Sequence, residues 1–189
     1  MYKNEFDNYL KQNKKFKSYM FYGQSMFLVE QYSLAIAQSF GENDEIEKLY
    51  FEEYNFKYAK DKLLQSSLFS SNNILLIKVE KKLPKKEVDT LIEACNANPD
   101  STLIFACLGD GDFKTMESSF SLKTNSVAVR FFQPTDTEAI RFLEYEAKLL
   151  EMQYEISALN HLYFMHKNDL ALCVNDLKKL AILDNLLTV

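Results

Sequence analysis

The sequence is poor in the residues that turn and link a chain. It contains only four glycines and three prolines in 189 residues, which argues against long linkers and against an all-β fold rich in tight turns. Hydrophobic residues make up 47% of the chain, so we expect a substantial core and little disorder. The length suits one large domain, or one medium and one small domain.

Membrane and secretion signals are also missing. No apolar run approaches the ~18 residues of a membrane span, and the charged N-terminus lacks the apolar segment of a secretory signal. The three cysteines, Cys95, Cys107 and Cys173, are odd in number and have no CxxC spacing, which indicates a reducing cytosol. We therefore expect a cytoplasmic protein with no membrane partner. The net charge of −5 gives no general attraction to nucleic acid, so any contact with DNA is expected to be local or shared with other proteins.

Short β-type runs alternate with helical patterns over the first two thirds of the chain. Strands that are apolar throughout, separated by helices, predict a parallel sheet covered on both faces, which is a three-layer α/β domain. The predicted strands are 19–22, 48–51, 74–79, 102–108 and 126–132, and the predicted helices are 25–39, 55–66, 85–97 and 113–120.

The pattern changes beyond Gln133-Pro134, where three helical patterns follow one another without a strand. Each begins with a residue that can cap a helix. The candidate caps are Thr135 or Asp136, Ser157, and Asn168 or Asp169. The sequence therefore predicts an α/β domain over 1–133 and a small helical domain over 134–189.

A strand followed by a glycine and a helix is the usual place of a phosphate-binding loop, and Gly23, Gln24 and Ser25 occupy it. That motif needs a second glycine followed by lysine and serine or threonine, but the bulky residues of MFLV come next. Strand 74–79 likewise carries Lys78 near its end rather than the aspartate that would hold magnesium, and we expect Glu80 to be a surface residue. We expect no nucleotide hydrolysis and no cofactor.

Other patterns predict neither a catalytic residue nor a metal site. The turn 109–112 has the sequence GDGD but lacks the later ligands of a calcium-binding loop. His161 and His166 are five residues apart and so do not share a helix face as a metal-binding pair would. Two lysine clusters remain, each read either as a solvated surface or as a contact for nucleic acid or an acidic partner. They are Lys81, Lys82, Lys85 and Lys86, and Lys11, Lys14, Lys15 and Lys17.

The segment 65–73, QSSLFSSNN, sets two large apolar side chains between pairs of serines. If helix 55–66 continued, Leu68 would lie about 120° and Phe69 about 220° from Phe56, so that Phe69 would point away from the buried face. Two interpretations stay open. The helix ends near Ser66 and the pair folds under the edge of the sheet, or the pair forms an exposed apolar wedge for another protein.

These segments together resemble the delta subunit family of the bacterial DNA polymerase III clamp loader. The resemblance rests on YMFYGQSMFLVEQ, SLFSSNNILLIKVEK, NPDSTLIFACLG and the C-terminal stretch from QPTDTEAIRF to NDLALCVNDLKKLAIL. In sequence order these segments cover nearly the whole chain. The serine-flanked pair before a buried strand and the last helix are the most specific of them.

The resemblance implies an AAA+-like (P-loop NTPase-like) first domain without nucleotide binding, a small three-helix lid domain, and a third, helical collar domain that oligomerises. We expect this chain to lack the collar and to be a fragment. The family's delta subunit opens the ring-shaped beta sliding clamp by inserting a Leu-Phe pair into a hydrophobic pocket. That pair corresponds to Leu68 and Phe69, with Gln65 and the neighbouring serines as supporting positions.

The resemblance also implies the partners. They would be the beta sliding clamp, the tau/gamma and delta prime subunits through the collar, and DNA through the assembled complex. The chain itself would be a non-catalytic subunit of a DNA polymerase holoenzyme. Two alternatives come from the residues alone: a P-loop-type enzyme with an atypical loop, or a DNA-binding module that uses the lysine clusters.

Overall fold

The computed structural model describes residues 1–65, 72–109, 111–182 and 187–188. The chain divides into two compact units, Met1–Phe132 and Gln133–Val189. The first unit contains a sheet with helices, and the described part of the second contains three α-helices.

In the described part of the chain, five parallel strands form one sheet in the order β2-β3-β4-β1-β5. Because the strands all run in one direction, their first residues share one edge of the sheet, here called the amino edge, and their last residues share the carboxyl edge. Asn73 pairs with Ser101 at the amino edge, and Gly23 pairs with Phe131 at the carboxyl edge. The strands are β1 Ser18–Gly23, β2 Ile46–Tyr50, β3 Asn73–Val79, β4 Ser101–Cys107 and β5 Ser126–Phe131.

Helices cover both faces of this sheet, as strands that are apolar throughout require. The helices are α1 Lys3–Lys11, α2 Met26–Gln38, α3 Phe56–Leu64, α4 Lys85–Ala97 and α5 Lys114–Glu117. Alternate side chains of β1 enter opposite cores: Tyr19 and Phe21 pack with residues of α1 and α2, whereas Met20 packs with residues of α3 and α4. The predicted three-layer α/β architecture is confirmed.

Helix α1 has no counterpart among the predicted elements. Only Phe6 of this helix is buried, but Phe6, Tyr9 and Leu10 recur at helical spacing, so the sequence carries a helical signal that the prediction overlooked. Tertiary contacts also hold the helix, because the Phe6 ring lies edge-on to Phe21 with the ring centroids 5.5 Å apart. The preceding amino group of Met1 donates a hydrogen bond to the carbonyl oxygen of Ala128 at 2.8 Å, which ties the N-terminus to β5.

Some predicted boundaries shift. Strand β2 begins at the buried Ile46 and ends before a 3₁₀ turn, Phe51–Glu53, that takes up the last residue of the predicted range. The helix predicted over 113–120 is the single turn α5. Helix α3 ends at Leu64, two residues earlier than predicted, because Gln65 is extended, with φ −73° and ψ 124°.

The helical unit contains α6 Asp136–Leu149, α7 Ile156–Met165 and α8 Leu170–Ala181. Thr135 caps α6 in a capping box: its hydroxyl accepts from the amide of Glu138, whose carboxylate accepts from the amide of Thr135. Asp169 caps α8 through the amides of its first turn. The expectation that Ser157 caps α7 is wrong, since Glu155 is the N-cap and the Ser157 hydroxyl donates to its carboxylate. None of the helices in the described ranges is both long and apolar enough to cross a membrane.

Candidate functional site

The loop between β1 and α2 stands where a phosphate-binding loop would begin, and only Gln24 and Ser25 separate the two elements. Gly23 has φ +136°, a conformation that side chains with a Cβ rarely adopt. A Cβ at this position would overlap the carbonyl oxygen of Phe131 and lie 2.7 Å from its amide nitrogen. The amide of Gln24 then donates to the same carbonyl oxygen at 2.8 Å. The backbone of β5 therefore accounts for this glycine without a phosphate.

Ser25 begins α2 as its N-cap. Its hydroxyl oxygen accepts from the amide of Leu28 at 3.4 Å, its carbonyl oxygen accepts from the amide of Val29, and the residue is almost fully buried. Leu28 and Val29 are themselves core residues. Residues 23–29 contain no lysine or arginine, so this loop supplies no cationic side chain that could bind a phosphate.

The strand end that would hold magnesium in a nucleotide-binding relative carries Lys78. Its ammonium lies 2.6 Å from a carboxylate oxygen of Glu30 on α2 and 5.2 Å from the centre of the Tyr50 ring. Glu80 is exposed, and its carbonyl oxygen approaches Gly109 so closely that no Cβ would fit there. A lysine paired with a glutamate replaces the expected metal-binding aspartate.

The predicted wedge residues Leu68 and Phe69 lie outside the described residues, as do the four serines that flank them. The structure does describe both ends of this segment: Gln65 follows α3, and Asn73 begins β3. Since α3 ends at Leu64, the angular positions obtained by continuing the helix do not apply to the pair. Gln65 and Asn73 are the described residues that flank this site.

Three buried side chains hold the end of α3, and we call them the α3 anchor: Asn73, Asn98 and Ser101. The last carbonyl groups of a helix have no partner within it and need one elsewhere. The side-chain amide of Asn73 donates to the carbonyl oxygen of Lys62 at 2.6 Å and has a longer contact, of 3.4 Å, with that of Gln65. This side chain therefore links the residue after the segment to the helix before it.

The other two members of the α3 anchor come from the next α–β connection. The Asn98 amide donates to the carbonyl oxygens of Leu63 at 3.0 Å and Gln65 at 3.1 Å, and the Ser101 hydroxyl donates to that of Leu63 at 2.7 Å. Asn98 can reach α3 because it precedes a proline and is extended, with φ −108° and ψ 113°, so that α4 ends before it. The Asn73 amide also donates to Ser101 at 2.9 Å, which joins the anchor into one network.

The α3 anchor lies at the amino edge of the sheet, because β3 begins with Asn73 and β4 with Ser101, and these residues are paired. The loop Gly23-Gln24-Ser25 lies at the carboxyl edge, where α/β folds usually bind ligands. Cys95 lies beside the anchor, with its sulfur 3.4 Å from the carbonyl oxygen of Ser101, and burial raises the pKa of its thiol. The three anchor side chains are uncharged and buried.

The two lysine clusters differ in how far they are engaged by the chain itself. All four lysines of the first cluster are exposed, and Lys85 pairs with Asp89 at 2.9 Å. In the second cluster, Lys14 lies 4.3 Å from the centre of the Tyr9 ring, and Lys17 donates to the carbonyl oxygen of Asn98 at 3.0 Å.

The two histidines are not brought together for chemistry. His166 lies 2.8 Å from Asp176, and His161 is exposed. Hydrogen bonds from Lys179, the larger contribution, and from His166 hold the pKa of the Asp176 carboxyl below its usual range. Among the residues that the structure describes, none of the histidines, cysteines and acids form a group of three able to hold a metal ion.

Comparison with solved structures defines the class of the fold. The DNA clamp loader delta protein of Bacillus subtilis superposes with a TM-score of 0.63 and 16% identity, over 95% of this chain and 57% of that one. The Thermotoga maritima RuvB Holliday junction branch migration motor superposes with a TM-score of 0.57 and 13% identity, over 91% of this chain and 56% of that one. The parallel sheet with its flanking helices, followed by a helical region, is thus an AAA+-like fold.

Comparison of sequences defines the family. A profile of the DNA polymerase III delta subunit matches residues 19–132, and a profile described as a middle domain matches residues 135–189. The chain belongs to the DNA polymerase III delta subunit family. Two curated proteins from Helicobacter pylori, of strains J99 and 26695, are each 28% identical to the whole chain, which spans 61% of their length.

The α3 anchor was not predicted from the sequence. Its members are 25 and three residues apart along the chain, and only the pairing of β3 with β4 brings them to one place. One signal was available: the residues after α3 include no glycine, which is the usual way to end a helix and satisfy its last carbonyl groups. A buried side-chain cap is the alternative solution.

Proposed function

We propose that this chain is a clamp-opening subunit that binds the beta sliding clamp through Leu68 and Phe69. Membership of the delta subunit family over residues 19–132 is the observation that carries the proposal. The position of the pair supports it: the two apolar residues stand between serines in a segment whose ends are fixed at the amino edge. Such a segment can present a small hydrophobic surface without disturbing the core.

The binding energy expected from such a wedge is sufficient for an interface anchor. Full burial of a leucine or phenylalanine side chain contributes about 1.5–3 kcal/mol each. The clamp opens if the pair binds more tightly to the conformation in which one ring interface is distorted, since a ligand shifts an equilibrium only by its differential affinity. The energy for the cycle then comes from ATP bound to partner subunits that expose or cover the wedge.

In this proposal the chain hydrolyses no nucleotide. The closed turn at Gly23, the capping role of Ser25 and the pairing of Lys78 with Glu30 all support that part of the proposal. The tau/gamma and delta prime subunits are the proposed partners beside the clamp, and DNA is contacted through the assembled polymerase holoenzyme in the cytoplasm. A turnover of ATP by the purified chain that is lost in Ser25→Ala would favour the enzyme alternative instead.

The deciding experiment measures the affinity of the chain for its cognate sliding clamp. We expect Leu68→Ala/Phe69→Ala to weaken binding by about 10²-fold or more, as the loss of two buried side chains predicts. Leu122→Ala/Phe132→Ala is the matched control. It removes the same two residue types from positions that are 53% and 47% exposed in the same unit, and it should leave the affinity unchanged.

The fold of both variants is checked by circular dichroism and thermal unfolding. A wedge variant that stays folded and binds the clamp as well as the parent contradicts the proposal. A wedge variant that unfolds, while its control does not, shows that the pair belongs to the core under the sheet edge.

A further inference from the structure

We infer that Asn73, Asn98 and Ser101, the α3 anchor, are positioning residues for the clamp-binding segment. They link Gln65 to Asn73, the described residues on either side of the segment, and so fix the two points at which the segment is attached to the fold. The inference rests on the proposed function, and it assigns a role to buried residues that lie outside the wedge.

Helix α3 is not followed by a glycine. A helix commonly ends with a left-handed glycine that turns the chain back and satisfies the last carbonyl groups. Here Gln65 leaves the helix in an extended conformation, and side chains from β3, β4 and the α4–β4 connection supply the hydrogen bonds. The chain therefore leaves α3 without turning back at Gln65, and side chains donate to carbonyl groups at the end of the helix.

The carbonyl oxygen of Gln65 lies between both ends of the segment. It accepts from the side-chain amide of Asn98 at 3.1 Å and has a longer contact, of 3.4 Å, with the side-chain amide of Asn73, the first residue of β3. The backbone amide of Asn73 donates to the carbonyl oxygen of Asp100 at 2.9 Å. The residues on either side of the segment, Gln65 and Asn73, are therefore attached to one buried network.

The side chains of the α3 anchor are buried and hydrogen-bonded to one another and to the backbone. Asn73 and Asn98 are 5% and 6% exposed, and Ser101 is fully buried. Asn98 is itself fixed, because its side-chain oxygen accepts from the amide of Asp100 at 3.1 Å and its carbonyl oxygen accepts from Lys17. Buried, fully satisfied polar networks of this kind hold a single arrangement.

These contacts have a measurable consequence for binding. The apparent dissociation constant equals the intrinsic one divided by the fraction of molecules in the competent conformation. Removing one anchor side chain weakens the attachment of one end of the segment, and if the segment is then competent about a tenth of the time, the dissociation constant rises about tenfold. The wedge side chains themselves are untouched by such a change.

The test uses Asn98→Ala and Ser101→Ala, each with a matched control. Asn96→Ala removes an amide on the same stretch of chain that donates to the carbonyl oxygen of Thr124, and Ser126→Ala removes a buried serine at the start of β5. We expect the anchor variants to bind the cognate clamp about tenfold more weakly and the controls to bind within about twofold of the parent.

A double-mutant cycle separates positioning from general destabilisation. In a Phe69→Ala background the loss caused by Asn98→Ala should shrink to less than about threefold, because both changes act through one segment and are not additive. Hydrogen exchange should be faster in peptides that span 66–72, and unchanged in peptides of β5, in the anchor variants only. Ser101→Thr, which keeps the hydroxyl, should restore binding.

The outcomes separate this inference from the proposed function. If Leu68→Ala/Phe69→Ala binds like the parent, the proposed function fails. If that variant loses binding but folded anchor variants keep parental affinity, or lose the same factor with and without Phe69, the inference alone is overturned. Should Asn98→Ala fail to fold, the Ser101→Ala cycle and the exchange of 66–72 decide the question in the same way.

Discussion

The two edges of the sheet connect strands and helices in different ways. At the carboxyl edge, where related folds bind nucleotide, the chain passes from strand to helix with two residues, and the backbone of β5 fills the space. At the amino edge, the chain passes from α3 to β3 through a longer segment, and buried side chains replace backbone packing. The usual ligand edge is closed here, whereas at the opposite edge buried side chains hold the end of α3 beside the start of β3.

Gly23→Ala tests the closed edge and should have the largest effect. The new Cβ would overlap the backbone of Phe131 in a left-handed conformation, so β1 and β5 must separate. We expect a loss of about 3 kcal/mol or more in the free energy of unfolding, since strain at such a position adds to lost pairing. Urea denaturation monitored by circular dichroism measures it.

Gly111→Ala is the control for that change. Its new Cβ would meet the Phe113 ring at 3.6 Å, an ordinary contact distance. We expect a change within about 0.5 kcal/mol. Equal stability losses at the two glycines would show that the approach of β5 does not require Gly23, and the reason given for this glycine would be wrong.

Asn98→Ala tests the supported edge through stability rather than binding. The variant loses the hydrogen bonds that Asn98 donates to the carbonyl oxygens of Leu63 and Gln65. Leu63 then keeps only its bond from Ser101, and Gln65 keeps only the longer contact with Asn73. Loss of hydrogen bonds to buried carbonyl groups lowers the free energy of unfolding by about 1–3 kcal/mol. The same urea titration should give this loss for Asn98→Ala and less than about 0.5 kcal/mol for the exposed Asn96→Ala. A smaller loss at Asn98 than at Asn96 would contradict a structural role for the anchor.

The sequence predicted what depends on local pattern. The apolar run 74–79 is β3 within one residue, and Thr135 caps the helix it was expected to cap. The strand order did not follow from the sequence. The reason for Gly23 could therefore not be predicted either, because only the pairing of β1 with β5 brings Phe131 against this glycine. The α3 anchor was missed for the same reason: its residues meet only through the β3–β4 register.

Loss of the ion pair between Lys78 and Glu30 should have the smallest effect on stability. It also tests whether the carboxyl edge takes part in clamp binding. The glutamate side chain is 48% exposed, and pairs of this kind contribute about 0–1 kcal/mol. Lys78→Met keeps an apolar stem beside Tyr50 and removes the charge, so we expect a loss below about 1 kcal/mol that fades at high salt. The urea midpoint at low and at high sodium chloride concentration measures it. Affinity for the sliding clamp should not change, because Lys78 lies at the carboxyl edge and the proposed wedge leaves the fold at the amino edge. A marked change in clamp affinity would mean that the carboxyl edge takes part in binding, and the division of roles between the two edges would then be wrong.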